Sequence, residues 1–469
     1  MEIDPTSRGV IVAPAGHGKT HLVATRIARA APEERLLVLT HTNVAVRALR
    51  KRLTSKPRAA VRIETLDALA LRIATAFPTA SGVPQEITGG NADWEGVVRP
   101  GAVQALQSPA ILRAFTQSYT SAIVDEFQDC TNTQNALIRV ISERIPTVVL
   151  GDPMQSVYQF KSSEFLDWST RVEGHRVLGS LDIPWRWQAN TGLGRWILMS
   201  RNHLSQGQPI TIGGTTAASV FDLEKPIQQA GLSSLLRKLS GTTAVISGDS
   251  ANTSRLRDIA RGNRWSNCEV FETAAPKELA ALAEAHETGT TAGQALALIT
   301  FTKACMSKTG KVSGAATCEK NLKQSGTVGR SKSVVAGTLR QFLSAPSGVA
   351  AQSVLAAYEA DEVTYTYRPN LLRLAYRIYK HVGENDCGDF QESLREVLEA
   401  RKHVDEAANG PVVGTPLRLK GLEFDNAVIV DSHDFETAEQ LYVAISRASN
   451  QIIFAIEEGQ HPGRHITRA

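Results

Sequence analysis

The sequence predicts an α/β protein whose parallel sheets are flanked by helices, and three observations lead there. Apolar runs of strand length recur and end in polar tips: GVIVA at 9–13, RLLVLTHTN at 35–43, SAIVDEFQD at 121–129 and TVVLGDPMQ at 147–155. Continuous runs of this kind suit strands buried on both faces. The first run leads into THLVATRIARAA at 20–31, whose apolar spacing is helical, so Gly16, His17 and Gly18 fall in a strand-to-helix turn. The alternation returns late in the chain, where TTAVISGDS at 242–250 precedes a helix-like SRLRDIARG, and VVGTPLRL, NAVIVD, LYVAISRA and QIIFAI follow. Parallel strands joined by crossovers put their polar tips on one sheet edge, so the tips after the first four runs should converge.

Size and composition set the bounds. A chain of 469 residues, 42% hydrophobic and 21% charged, exceeds one ordinary core, and two or three domains are expected. No apolar run approaches the roughly 18 residues of a membrane span, and the start MEIDPTSR is too polar for a secretory signal. A cytoplasmic protein with no membrane partner is the expectation. Cys130, Cys268, Cys305, Cys318 and Cys387 are odd in number and contain no CxxC spacing, which argues against a disulfide framework or a zinc site. A net charge of +4 is too weak to assign a nucleic-acid partner by itself.

The chemistry starts in APAGHGKT at 13–20. Glycines at a strand-to-helix turn let backbone N–H groups wrap phosphate at a helix N-terminus; Lys19 can reach the β and γ phosphates, and the Thr20 hydroxyl can hold Mg²⁺. The strict pattern asks for Gly where this chain has Ala13. The nucleotide-binding stretch is thus Ala13, Pro14, Ala15, Gly16, His17, Gly18, Lys19, Thr20 and His21. At the end of the SAIVDEFQD run, Asp125 would coordinate Mg²⁺ and Glu126 would polarise the attacking water. Asp152 and Gln155 would share the sheet edge with the phosphate loop.

Seven blocks stand in one order: APAGHGKT, THTN at 40–43, VDEFQD at 124–129, GDPMQSVYQF at 151–160, WRW at 185–187, TPLRLKGLEF at 415–424 and LYVAISRA at 441–448. Through them the chain, from residue 9 to about 456, resembles the UvrD/Rep-like superfamily 1 DNA helicases, in compact form. In that family the phosphate loop begins with Ala as often as with Gly. The resemblance implies two RecA-like P-loop NTPase lobes, parallel sheets flanked by helices, with a mostly helical insertion in the second lobe. It implies ATP and Mg²⁺ in the cleft between them. Gln155 would sense the γ-phosphate, and Arg186 and Arg447 would stabilise the charge developing in transfer. Trp185 would stack on adenine, with Gly421 and Glu423 near the ribose. The upstream glutamine motif that reads adenine is missing, so nucleotide choice would rest on Trp185. For single-stranded DNA the resemblance implies backbone contacts from Thr42, Asn43, Thr65 and Thr415, and base stacking on Tyr158 and Phe160.

Three positions depart from the family pattern: His41 replaces a customary Phe, and Asp67 and Leu417 each replace a customary His. An Asp facing a phosphate backbone is repelled, so either Asp67 points elsewhere or the grip differs. Two basic stretches bear on the same question. RALRKRLTSKPR at 47–58 has six basic residues and no acid, and the interval 303–340 has eight against Glu319 alone. Gly and Ser are frequent from 307 to 349, the composition of a loop.

The expected organisation is a first lobe at 1–185 with a reduced accessory insertion at about 77–118, a second lobe at 186–274 and 406–469, and a helical insertion at 275–405. The resemblance implies an ATP-dependent helicase or translocase on single-stranded DNA, moving 3′ to 5′. The alternative is a nucleotide-gated regulatory ATPase that unwinds nothing and works with a partner nuclease, as compact helicases resemble components of antiphage systems such as Gabija. No nuclease motif is apparent in the chain, so cutting would need that partner.

Overall fold

The structure is a computed structural model that describes residues 1–53, 57–85, 87, 93–157, 168–213, 218–223, 230–248, 269–270, 277–366, 368–384, 390, 393–394, 411–430, 432–459 and 461–468. The chain divides into two compact units, the first Met1–Asn263 with Pro411–Ala469 and the second Arg264–Gly410.

The first unit holds two large parallel sheets flanked by helices, and a two-stranded one of Ile210–Ile212 with Ile466–Arg468. In one, β1 (Gly9–Val12), β2 (Arg35–Thr40), β3 (Ala60–Thr65), β4 (Ser121–Val124), β5 (Thr147–Gly151) and β6 (Val177–Ser180) lie in the order β3-β2-β4-β5-β1-β6. Every pair in it is parallel. Side chains alternate between the two faces of each strand, so consecutive residues enter different cores. Leu36 and Val38 of β2, Ile123 of β4, and Val148 and Leu150 of β5 pack with Leu22, Val23 and Ile27 of α1 (Lys19–Ala28) and with Val46 and Leu49 of α2 (Asn43–Arg52). Leu37, Leu39, Val124 and Val149 face the other way, against Leu66, Leu69 and Ile73 of α3 (Leu66–Ala76), against α4 (Arg99–Leu106), and against Leu137, Ile138 and Ile141 of α5 (Asn132–Arg144). Burial on both faces is why these strands read as unbroken apolar runs.

In the other sheet β7 (Ala218–Leu223), β8 (Thr243–Ser247), β9 (Val412–Gly414), β10 (Phe424–Val430) and β11 (Ala448–Glu457) are all parallel, ordered β9-β8-β10-β11-β7. Helices α6 (Thr191–Ser205) and α7 (Ala438–Ile445) belong to this unit. The helix-like SRLRDIARG segment lies outside the described residues.

The second unit is helical, with Thr291–Cys305, Ala315–Ser325, Val334–Ser344, Gly348–Glu359 and Pro369–Glu384 around a core that includes Leu298, Phe301, Leu339, Phe342, Leu355 and Ile378. The stretch from 307 to 349 is therefore folded, contrary to its loop-like composition. Its serines cap helices, Ser333 accepting from the Ala336 N–H and Ser347 from the Ala350 N–H, and Gly326 ends one in the left-handed conformation (φ 68°). Among the described residues no helix is long and apolar enough to cross a membrane.

Candidate active site at the phosphate loop

Between β1 and α1 the backbone bends through two left-handed glycines, Gly16 (φ 72°) and Gly18 (φ 84°). Both positions also lack room for a Cβ. At Gly16 it would lie 2.9 Å from Arg186 Cβ and from the Trp187 ring, and at Gly18 2.8 Å from Trp185 Cδ1. Gly18 is the N-cap of α1 and no side chain makes a capping hydrogen bond there, which suits the first N–H groups of the helix to an anion. The cradle thus suits a phosphate group. Around it, the Ala13 N–H donates to the Gly151 carbonyl (2.8 Å), the His17 N–H to the Pro14 carbonyl (3.2 Å) and the Arg186 N–H to the Gly16 carbonyl (3.0 Å). The His17 ring nitrogen Nδ1 sits 2.8 Å from the Ala15 carbonyl, and the Ala15 N–H donates to the Tyr442 hydroxyl (3.1 Å). Burial holds His17 below its usual pKa.

Lys19 and Thr20 open α1. The Lys19 ammonium lies 2.5 Å from Glu126 Oε1 and 3.6 Å from Asp125 Oδ1. Asp125 Oδ1 in turn accepts the Glu126 N–H (2.9 Å). Glu126 is one of two non-glycine residues with positive φ (56°) among the described residues, a conformation costing about 1–3 kcal/mol that concentrates at functional sites. Burial alone would raise the pKa of Glu126, but the charges of Lys19 and Lys420 outweigh it and hold the carboxyl below its ordinary range. Asp125 is pushed up, by burial first and despite Lys19. Burial would depress Lys19, yet Glu126 and Asp125 raise it. Side-chain exposure of 29% leaves Glu126 reachable by water, against 4% for Asp125. Among the described residues no three His, Cys, Asp or Glu side chains cluster as a metal cage. Mg²⁺ takes one or two carboxylates plus phosphate oxygens and water, and Asp125 and Thr20 are the residues here that could hold it.

Groups from the second sheet reach the same edge. Lys420 Nζ lies 2.6 Å from both carboxylate oxygens of Asp129 and 2.6 Å from the Gln155 carbonyl. Gln155 Nε2 donates to Asp152 (3.0 Å), which Arg201 of α6 also holds (2.7 Å). Arg186 donates to the Ser446 carbonyl (2.6 Å) and pairs with Glu423 (3.0 Å). Arg447 is buried and donates to the carbonyls of Val443 (2.9 Å) and Leu422 (3.0 Å) and to the Ser446 hydroxyl (2.8 Å). Burial and the neighbouring Arg186 push its pKa down to about 9, so it stays protonated at neutral pH. Trp185 is half exposed beside Gly18, its ring 6.4 Å from His21, and Gly421 takes φ 85°.

Lys420, Asp129, Tyr442 and Arg201 were not singled out from sequence. The first three lie inside the blocks TPLRLKGLEF, VDEFQD and LYVAISRA, which was the available signal; Arg201 had none. Cys130, next to Asp129, is buried and its thiol is pushed up to about 12 by that burial, which makes it inert at neutral pH.

The residues expected along a DNA strand are differently placed. Thr42 caps α2 by accepting the Ala45 N–H (3.2 Å), and Thr65 caps α3 by accepting the Ala68 N–H (3.0 Å). The Thr415 hydroxyl is buried with no hydrogen-bond partner among the described residues. Asn43 begins α2, but its side chain lies outside what is described, and Tyr158 and Phe160 lie outside the described residues altogether. Asp67, partly exposed, is tied to its neighbours: Arg99 donates to both its oxygens (2.8 and 3.1 Å) and Gln134 Nε2 to one of them (2.9 Å). His41 is held below its usual pKa by burial.

Residues 4–161 match the AAA domain family. Among curated proteins, an ATP-dependent helicase/nuclease subunit from Streptococcus equi subsp. zooepidemicus (strain MGCS10565) is 25% identical over 122 residues, which cover 26% of this chain and 9% of that protein. Its counterpart from Streptococcus suis (strain 98HAH33) is 28% identical over 106 residues, covering 22% and 8%. The chain therefore spans less than a tenth of the length of these relatives. A solved structure, the Arterivirus nonstructural protein 10 helicase with DNA, aligns over 97% of this chain and 61% of its own at 8% identity, with a TM-score of 0.35, too low to argue from. Residues 4–161 of this chain form an AAA domain of the kind found in UvrD/Rep-like superfamily 1 helicases.

Proposed function

We propose that the chain is an ATP-dependent motor on single-stranded DNA, a 3′ to 5′ helicase or translocase of the cytoplasm, with RecA-like lobes at 1–185 and at 186–274 with 406–469, and an insertion at 275–405. The observation that carries this reading is the meeting of both sheets at one phosphate cradle. Tyr442 accepts the Ala15 N–H and the Arg186 N–H donates to the Gly16 carbonyl, both at the loop that follows β1, while Lys420 reaches Asp129 and Gln155 on the same edge.

In this reading Lys19 exchanges Asp125 and Glu126 for phosphate oxygens, which frees Asp125 to hold the metal together with Thr20. Mg²⁺ held by Asp125 and Thr20 would supply positive charge to offset that of the phosphates. Glu126, kept ionised by Lys19 and Lys420, takes the proton of the attacking water. Gln155 reports the γ-phosphate to Asp152 and Lys420. Arg186 and Arg447 give up carbonyl and carboxylate partners to meet the developing negative charge. Trp185 takes the adenine face, and Gly421 and Glu423 the ribose. Thr42, Asn43, Thr65 and Thr415 hold the strand's backbone, and Tyr158 and Phe160 its bases. Closure on ATP and opening after hydrolysis then move the lobes along the strand.

The test is steady-state ATP hydrolysis with and without single-stranded DNA, Lys19→Ala as control, followed by separation of a 3′-tailed duplex. Stimulation with unwinding is expected; hydrolysis indifferent to DNA sinks the motor. A second reading, a nucleotide-gated ATPase serving a partner nuclease, draws support from the altered track: burial keeps His41 neutral, and Asp67 is engaged with Arg99. Stimulation without unwinding would favour it.

A further inference from the structure

Asp67 sits in the first turn of α3, two residues after Thr65, where a fixed negative charge opposes a phosphate backbone. Its carboxylate is turned aside by a closed hydrogen-bonded ring. Arg99, the first residue of α4, covers both Asp67 oxygens with Nε (2.8 Å) and a terminal nitrogen (3.1 Å), and its other terminal nitrogen donates to the Thr131 hydroxyl (3.2 Å). The Thr131 N–H donates to Gln134 Oε1 (3.0 Å), and Gln134 Nε2 returns to Asp67 (2.9 Å). Glu95 pairs with the same guanidinium and accepts the Thr133 hydroxyl (2.5 Å), while Trp94 lies under the guanidinium at 5.8 Å. Arg99 is 8% exposed, whereas the two carboxylates it separates keep 31% and 33% exposure. The cation is inside and the acids face outward, so removing it leaves two negative charges near the surface beside Thr65.

We propose that Arg99 is a positioning residue for strand binding: it draws the Asp67 carboxylate into the ring and offsets its charge, so that a phosphate backbone can lie beside Thr65. The inference rests on the single-strand reading above. It assigns a task to the segment before α4, which otherwise only covers the sheet. It also explains how Asp67 is tolerated where the resemblance puts a histidine.

The test is the affinity of the full chain for a labelled oligothymidylate as a function of salt. Arg99→Ala is expected to weaken binding about five-fold at low salt, the worth of one unit charge at about 4 Å in water. The deficit should shrink at roughly 0.3 M salt as screening grows, with DNA-free ATP hydrolysis unchanged. Asp67→Asn in the Arg99→Ala background should recover most of the lost affinity, whereas a merely structural defect would respond to neither salt nor this rescue. Should Arg99→Ala fold poorly, Asp67→Asn alone, which needs no cation, is expected to bind at least as tightly as the unaltered chain. The proposal is overturned if Arg99→Ala binds normally, if its deficit ignores salt and the rescue, or if Asp67→Asn alone weakens binding. An unaltered chain that binds no oligothymidylate overturns the single-strand reading itself and the inference with it.

Discussion

The proposed nucleotide cradle and the proposed strand-contact track are built by different means. Around the phosphate loop, charged groups already hold one another: Lys19 with Glu126 on the first sheet's edge, and Lys420 with Asp129, Arg201 with Asp152 and Arg186 with Glu423. Along the proposed track, Thr42 and Thr65 are helix caps and Asp67 is a partly exposed acid tied to Arg99. The cradle therefore keeps most of its charge in largely buried pairs, Glu423 being half exposed, while the Thr42 and Thr65 hydroxyls each already accept a backbone N–H. Substitutions should cost much in the first region and little in the second.

The largest effect is expected at Lys420. Its ammonium is 9% exposed and Asp129 5%, so Lys420→Met strands a buried carboxylate, at a cost of about 3–5 kcal/mol. The first urea transition measures it. Asp129→Asn added to Lys420→Met should restore most of the loss, because the uncompensated charge and not the missing contact is the expensive part. A cost under about 1 kcal/mol in the single variant would mean the pair is solvated like a surface bridge and would erase the contrast between the regions.

Next come Lys19→Ala and Arg447→Ala, each expected to lower ATP turnover on the order of 100- to 1,000-fold, as loss of a preorganised charge at a transition state does. Arg447 is the sharper probe because it holds only backbone carbonyls and a hydroxyl in this structure. Turnover near the unaltered level in either variant would refute the site assignment.

How much of this was legible in the sequence follows the same division. Four strands of the first sheet, β1, β2, β4 and β5, read correctly because burial on both faces made them continuous apolar runs, while the partly exposed edge strands β3 and β6 were not legible; Gly16 and Gly18 announced the turn that their positive φ requires. Cross-lobe partners were hidden because Lys420 and Asp129 are 291 residues apart and nothing local pairs them. Arg99 was invisible for the same reason: its role depends on Asp67, 32 residues away. The Gly- and Ser-rich stretch misled because Ser333, Ser347 and Gly326 serve as helix caps, and composition cannot distinguish a cap from a linker.

A smaller effect is expected at Gly18. Gly18→Ala forces a left-handed conformation on a residue with a Cβ, about 1–2 kcal/mol, and sets that atom 2.8 Å from Trp185 Cδ1. Because Trp185 is half exposed it can swing away, so the fold should survive while ATP binding weakens roughly ten-fold, the equivalent of about 1.4 kcal/mol. Unchanged affinity, measured by calorimetry, would detach Trp185 from the adenine site.

The smallest effect belongs to the track and separates capping from strand contact at Thr65. Thr65→Ala should cost about 1 kcal/mol through loss of the cap on α3, which says nothing about DNA. Thr65→Asp is different: Asp caps as well as Thr and suits the helix N-terminus, so stability should stay within about 0.5 kcal/mol of the unaltered chain. Yet its charge would face the phosphate backbone, and single-strand affinity should fall. If Thr65→Asp keeps both stability and affinity, the Thr65 hydroxyl is a cap and nothing more, and the track runs elsewhere on this edge.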